Sequence, residues 1–436
     1  GPISYHMGGW PPPFGIEYVV DTVNAYILLI VSALGALVIT SGKQSVEREL
    51  PPGKDGLFYT AYLLCLAGLL GVTITGDAFN IFVFLEISSL SSYVLISLGR
   101  QPMALTAAYR YLVLGTIGAT FYLIGVGLLY QATGTLNIVD LATRVAELTE
   151  SRSVRAAFAF MTVGIGIKLA LFPLHIWLPN AYAYAPSVSS AFLAATATKV
   201  SIYVLIRVFY TIFGPAFSFE TLPLDWVLLP LAIIAMFVGS TIAIFQVDIK
   251  RMLAYSSVAQ IGYMIVGVSL VSVLGMTGGL LHLFNHALMK GALFLAMGCV
   301  FYRIGSVALG DLDGLGRRMP WTMAAFVIGG LSLIGIPLTA GFVSKFYLIL
   351  AAWDKDWWWL AGLIVLSSLL AIIYVWRIIE VAYIRDPPEG VEMKEAPLSL
   401  LIPAWVLALA NIYFGIDTRV SVGVAETAAK YLLGAS

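Results

Sequence analysis

An all-α membrane protein that crosses the bilayer about twelve times is the fold class this sequence predicts, and three observations predict it. Of 436 residues, 60% are hydrophobic and only 11% are charged, where a soluble domain carries about 25% charged residues. Mean hydropathy is +0.93, and the apolar residues gather into stretches of about 20, the length that spans a bilayer core. Two of these stretches are interrupted by proline, at Pro173 and at Pro337 in LIGIPLTAGFVSKF. Proline frees a backbone carbonyl, which is tolerated at membrane depth only where protein or a watery cavity satisfies it. Paired broken helices in the two halves of a chain point to an inverted-repeat transporter.

The expected spans lie near 22–40, 57–75, 77–98, 104–131, 154–178, 186–212, 224–245, 250–271, 274–302, 321–352, 357–384 and 397–416. Lysine and arginine accumulate in alternate loops: Lys43, Arg48, Lys54, Arg100, Lys250, Arg251, Arg303, Arg317, Arg318, Arg385 and Lys394 on one side, only Arg144, Arg152, Arg155 and Lys355 on the other. The first side is therefore cytoplasmic, with the N-terminal segment and the tail after residue 416 outside. The loops 41–56 and 385–397 read most simply as solvated connectors, WDKDWWWL (353–360) as an interfacial aromatic anchor, and the tail as a short amphipathic surface helix. Residue 1 is Gly and the opening reads as an extracytoplasmic loop, so the chain is expected to be a fragment.

Net charge is zero, which argues against a nucleic-acid or polyanion partner. Cys65 and Cys299 lie in separate apolar spans without a Cys/His cluster, so a cysteine-based metal or iron–sulfur site is excluded. No nucleotide loop, nucleophile triad or glycine fingerprint occurs, and a catalytic role or bound cofactor is not expected.

Charge inside the spans carries the functional signal, because a charged side chain at bilayer depth costs at least a few kcal/mol. Lys168 sits in MTVGIGIKLALFPLHIW with the break expected five residues on, at Pro173, and Lys199 sits inside the next span. Glu86, mid-span in TGDAFNIFVFLEISSL, is the candidate partner of Lys168. A nearby carboxylate supports the ammonium and moving it away withdraws that support, so the pair can load and release a proton; the bland alternative is a static ion pair. Lys290 and Lys345 extend the series. His282, His286 and Lys290 are four apart and share one helix face; a proton relay, structural hydrogen bonding and a metal site all fit, relay best because no carboxylate or cysteine is nearby. His175 fits either a relay or a partner for freed backbone. Asp77 reads as a helix cap. Arg377 and Glu380 read as a local salt bridge, with Glu380 also a candidate exit residue. Ser88, Ser89, Ser91 and Ser92 line a hydrated path or pack helices.

Five segments in order, GDAFNIFVFLE, GIGIKLALFPLHIWLPNAY, DIKRMLAYSSVAQIGYM, LFNHALMKGALFLAMG and GIPLTAGFVSKF, resemble the antiporter-like family shared by Mrp-type sodium/proton antiporters and the membrane arm of respiratory complex I. The match covers nearly the whole chain. The opening GGWPPPFGIEYVVD and the stretch ATGTLNIVDLATRVAEL look most like the D-type member of the Mrp branch, and Lys345 stands where M-type complex I subunits have glutamate. The resemblance implies fourteen spans, twelve of them present here, and two inverted five-helix repeats, placed at 57–212 and 224–384 between an N-terminal part (1–56) and a last span with its tail (385–436). It implies a proton path through Glu86, Lys168, Lys199, a helix containing His286 and Lys290, and Lys345; the residues themselves add His282 to that path and His175, Pro173, Pro337 and Glu380 as candidate relay or gate. It also implies a hetero-oligomeric complex in the cytoplasmic membrane that moves H⁺ and exchanges it for Na⁺, with a redox-driven proton pump as the alternative and a non-conducting scaffold as a third reading.

Overall fold

The computed structural model describes residues 2–387 and 394–435. A short antiparallel hairpin, β1 (Ile3–His6) and β2 (Glu17–Val20), leads into α1 (Thr22–Ile39), whose first N–H groups are capped by Asp21 and Asn24. There follow α2 (Gly42–Glu49), α3 (Asp55–Ile74), α4 (Ala78–Ser97), α5 (Pro102–Thr133), α6 (Ile138–Ala146), α7 (Arg152–Lys168), α8 (Leu178–Tyr184) and α9 (Ser187–Ile206), the last running into a π-helical turn, Arg207–Ile212. The second half comprises α10 (Asp225–Ile244), α11 (Ile249–Ser269), α12 (Val273–Ile304), α13 (Leu315–Arg318), α14 (Pro320–Ile334), α15 (Ala340–Asp354), α16 (Trp358–Ile379) and α17 (Leu398–Ile416). Last comes α18 (Arg419–Leu433), the expected tail helix, which lies against α1 and α12.

Ten of these helices are long and apolar enough to cross a membrane. The other two expected crossings are the broken ones, α7–α8 and α14–α15. The first break does not fall at Pro173: α7 ends at Lys168, and Ala170 already has a left-handed φ of 60°. The freed carbonyls find partners within the break. Leu171 N–H donates to Gly166 O at 2.8 Å and Trp177 Nε1 to Ile167 O at 2.8 Å. In the second break Gly335 (φ 91°) and Leu338 (φ 69°) turn the chain on either side of Pro337.

The two five-helix units, α3–α9 and α10–α16, share a register. Asp77 caps α4 and its backbone bridges Asn137, beyond the left-handed Gly134 that ends the 32-residue α5. A constant 171 positions later, Asp248 caps α11 and bridges Ala308, beyond the left-handed Gly305 that ends the 32-residue α12.

Polar chemistry concentrates on α9, α11 and α12, which are buried nearly all round by the other helices. Close helix crossings depend on glycine: at Gly164 a Cβ would meet Gly118 O at 2.5 Å and Tyr122 N at 2.6 Å, the small-residue contact that lets membrane helices approach. Exposed Trp353, Trp358 and Trp359 cluster where α15 meets α16, as an interfacial anchor requires.

Two connector readings need correction. Residues 42–49 form a helix, and buried Glu49 accepts from Ser187 N (2.8 Å) and Ser187 Oγ (3.0 Å), capping α9 from a remote element. In the loop 385–397, residues 388–393 lie outside the described residues, but Glu395 caps α14 by accepting from Trp321 N and Thr322 Oγ1. A carboxylate is a favourable neighbour for the partial positive charge of a helix N-terminus.

Candidate functional site

The break in α7 leaves Lys168 on the last turn, with its four-carbon stem in apolar packing and its ammonium directed at α4. Nζ lies 3.1 Å from Glu86 Oε1 and 2.7 Å from Ser89 Oγ. The expected partners are thus in contact. Of the four serines, Ser89 serves the lysine, whereas Ser88, Ser91 and Ser92 bond to carbonyls of their own helix.

The remaining lysines are held differently. Lys199 Nζ donates to Ala194 O and, at 3.4 Å, to Thr198 Oγ1. Lys290 Nζ donates to Leu253 O (2.7 Å) and Ser256 Oγ (2.5 Å). Lys345 Nζ reaches back across the second break to Leu333 O (3.1 Å) and Ile334 O (2.8 Å), the last carbonyls of α14, and stands 4.7 Å from the centre of the Tyr263 ring. A helix C-terminus carries partial negative charge that favours a cation. Among the described residues none of these three has a carboxylate within ion-pair distance.

His282 and His286 stack in parallel with centroids 6.3 Å apart, yet their surroundings differ. His282 is engaged on both nitrogens, Nδ1 with Ser344 Oγ (2.9 Å) and Nε2 with Gln260 Oε1 (2.8 Å). Neither ring nitrogen of His286 has a protein partner, although the residue is fully buried. His282, His286 and Lys290 stand on α12, and Lys199 on α9 and Lys345 on α15 stand on helices packed against it. The structure therefore gathers Lys199, His282, His286, Lys290 and Lys345 into one buried row, and sets Glu86–Lys168 in the neighbouring helices.

Other expected residues lie elsewhere. His175 stacks on Phe172, and the carbonyl of Ile167 in the break is taken by Trp177. Glu380 is not paired with Arg377. The chain passes into a π-helical turn at Glu380–Ile384, where Glu380 approaches Arg385 at 3.8 Å, while Arg377 donates to Gln246 O.

Four residues of interest had escaped sequence reasoning. Lys250, counted with the loop charges, is buried in the first turn of α11 and donates to Ala185 O at 2.9 Å. With Glu49, Arg48, Arg100 and Asp248 it lines a polar cavity of about 420 Å³ between the two halves, at the end marked as cytoplasmic. At the opposite end Arg207 NH2 and Asp21 Oδ2 form a buried ion pair at 2.5 Å. An arginine inside the apolar run YVLIRVFY was a readable signal; Asp21 and Glu49 sit at span ends, where a carboxylate is unremarkable.

Comparison with known proteins agrees with this architecture. The family model described as NADH:quinone oxidoreductase/Mrp antiporter, TM, matches residues 75–371. The chain is 43% identical to the N-type subunit of the NADH-quinone oxidoreductase of Desulforudis audaxviator, over 95% of this chain and 85% of that one. It is 34% identical to the D-type subunit of the Na⁺/H⁺ antiporter of Alkalihalophilus pseudofirmus, over 94% and 82%. Among solved structures, a chain of the Mrp complex from Dietzia sp. superposes with a TM-score of 0.90 at 28% identity, covering 99% of this chain and 87% of that one. A multi-pass chain with a family match over more than half its length belongs to the membrane-subunit family shared by NADH:quinone oxidoreductases and Mrp antiporters.

Proposed function

We propose that this chain translocates protons as the antiporter-like subunit of a hetero-oligomeric monovalent-cation/proton antiporter in the cytoplasmic membrane. The observation that carries the proposal is the set of buried lysines Lys168, Lys199, Lys290 and Lys345, of which, among the described residues, Lys168 alone is ion-paired to a carboxylate. A fixed charge in such surroundings is costly, so Lys199, Lys290 and Lys345 are suited to passing a proton on rather than to holding one. His286, with two unpartnered nitrogens beside Lys199 and Lys290, can take a proton on one nitrogen and release it from the other. The polar cavity at Lys250 and Glu49 supplies access from the cytoplasmic side, and the units 57–212 and 224–384 act as the two half-channels. Gaps wider than a hydrogen bond are bridged by water. Separation of Glu86 from Lys168 is the switch, and the relatives' place in multisubunit complexes supports a hetero-oligomer.

A second reading, a proton-pumping subunit of a redox-driven complex, is favoured by the 43% identity to an NADH-quinone oxidoreductase subunit. One experiment separates the two. In inside-out vesicles carrying the intact complex and an internal pH dye, a proton gradient is imposed and Na⁺ is added. Gradient collapse that disappears in Lys168→Ala supports the antiporter. No Na⁺ response, with pumping driven by an electron donor, transfers the chain to the redox reading. Transport that survives Lys168→Ala refutes the switch in either case.

A further inference from the structure

The extracytoplasmic end of α9 holds a polar cluster that the central row does not use. Lys199, Tyr203 and Arg207 are spaced four apart and share one face of α9, each step rising about 6 Å toward the outside. Arg207 Nε donates to Tyr203 Oη at 3.0 Å, and Tyr203 Oη donates to Thr73 O at 2.9 Å. Arg207 NH2 meets Asp21 Oδ2 at 2.5 Å, and Asn24 Nδ2 donates to Thr73 O at 3.3 Å. All five partners of this cluster are buried. Asp21 also lines a crevice of about 400 Å³ with Ile3, Thr22 and Tyr431. The ion pair therefore stands between the buried cluster and the surface.

We infer that the Asp21–Arg207 pair is the gate of an extracytoplasmic exit that leaves the central row at Lys199 and runs along α9 past Tyr203. Three features support a gate over a static pin. The α-helix gives way to a π-helical turn at Arg207 itself, and such turns recur at functional sites. A buried ion pair is weak as a fastening, because desolvation offsets much of the attraction. Lys199 also has a neighbour at each end: its ammonium is now turned toward Ala194 O, one turn to the cytoplasmic side, and a change of rotamer swings it toward Tyr203. In the conformation seen here the exit is closed at both places. The titratable groups facing the pair are Tyr203 on α9 and Tyr431 on α18.

The inference rests on proton passage through the central row. Its test uses right-side-out vesicles carrying the intact complex, energised by whichever of a Na⁺ gradient or an electron donor drives transport in the wild type. The rate is measured against external pH at fixed internal pH, and the reverse. Asp21→Asn is expected to slow transport at least tenfold and to displace the external-pH profile by a unit or more, leaving the internal profile in place. Arg207→Lys, which keeps the charge but not the paired geometry, should displace it in the same way by less, and carries the test should Asp21→Asn fail to assemble. A pin that only holds α1 to α9 would scale the rate and leave both profiles unmoved, and that result overturns the gate. Lys168→Ala separates the two failures: if it abolishes transport while the external profile of the gate variants stays fixed, only the exit is wrong, and if it transports normally, the central row is wrong as well.

Discussion

Replacing Glu86 with glutamine removes one charge and almost no volume, so it isolates the electrostatic part of the switch. With Oε1 at 3.1 Å from Lys168 Nζ, attraction at an effective dielectric of about 20 amounts to about 5 kcal/mol at most. The Glu86 side chain is 22% exposed against 3% for Lys168, so solvent screens the pair and about 2–3 kcal/mol is a better figure. If that energy loads the proton, Glu86→Gln slows transport by about a hundredfold, at about 1.4 kcal/mol per factor of ten. Ser89 Oγ still receives a hydrogen bond from the ammonium at 2.7 Å, so the variant should assemble. The assay is the rate of gradient collapse or pumping in vesicles for Glu86→Gln, Lys168→Ala and the double variant. Two residues acting as a unit are not additive, and the double variant should be no slower than the slower single. A Glu86→Gln rate within twofold of wild type, or a double variant whose loss is the product of the single losses, refutes the reasoning.

The two histidines should separate function from stability. His286→Leu breaks no protein hydrogen bond and is expected to abolish transport with little change in the melting temperature of the complex, whereas His282→Leu strands the buried Gln260 Oε1 and should lower stability by about 1–3 kcal/mol; thermal unfolding beside transport rates checks both. Gly164→Val inserts a side chain where even a Cβ would lie 2.5 Å from Gly118 O, so α5 and α7 must part, and the yield of assembled complex after mild detergent extraction should collapse.

Much of this was legible in the residues because the bilayer imposes a simple code. Ten of the twelve expected spans coincide with a helix long and apolar enough to cross, with ends within a few residues, since apolar length and terminal Pro, Gly and Asp mark the boundaries; the other two are each split into two shorter helices. The Glu86–Lys168 pair was legible because two opposite charges at bilayer depth have few alternatives to each other. Most of what escaped notice lay at the span ends, where charge is ordinary, although Arg207 stood inside an apolar run. Lys250 looks like any loop lysine until α8 and α12 close over it, and Asp21, read only as part of the approach to α1, meets Arg207 across 186 residues. The position of the first break was misjudged for a different reason. Pro173 is the visible breaker, but the chain leaves the helix at Ala170 because Trp177 and Leu171 supply donors that make an earlier exit possible.

The two units repeat as scaffold and differ as chemistry, and the difference assigns them separate tasks. At the shared register Glu86 corresponds to Ser257, which donates to its own helix at Leu253 O, so at this position the second unit has no counterpart of the carboxylate. Phe79, exposed on the outer surface of the first unit, corresponds to the buried Lys250 of the second. The breaks differ in the same sense. Lys168 closes the first half of its broken helix and is held by a side chain on another helix, a contact that rotation of either residue can break. Lys345 opens the second half of its helix and is held by the backbone carbonyls that end α14, partial charges that cannot leave unless the break itself rearranges. A mobile counter-charge suits control and a fixed one suits passage. On the proposed function, the first unit would decide when a proton moves, and the second would provide the seat it moves to.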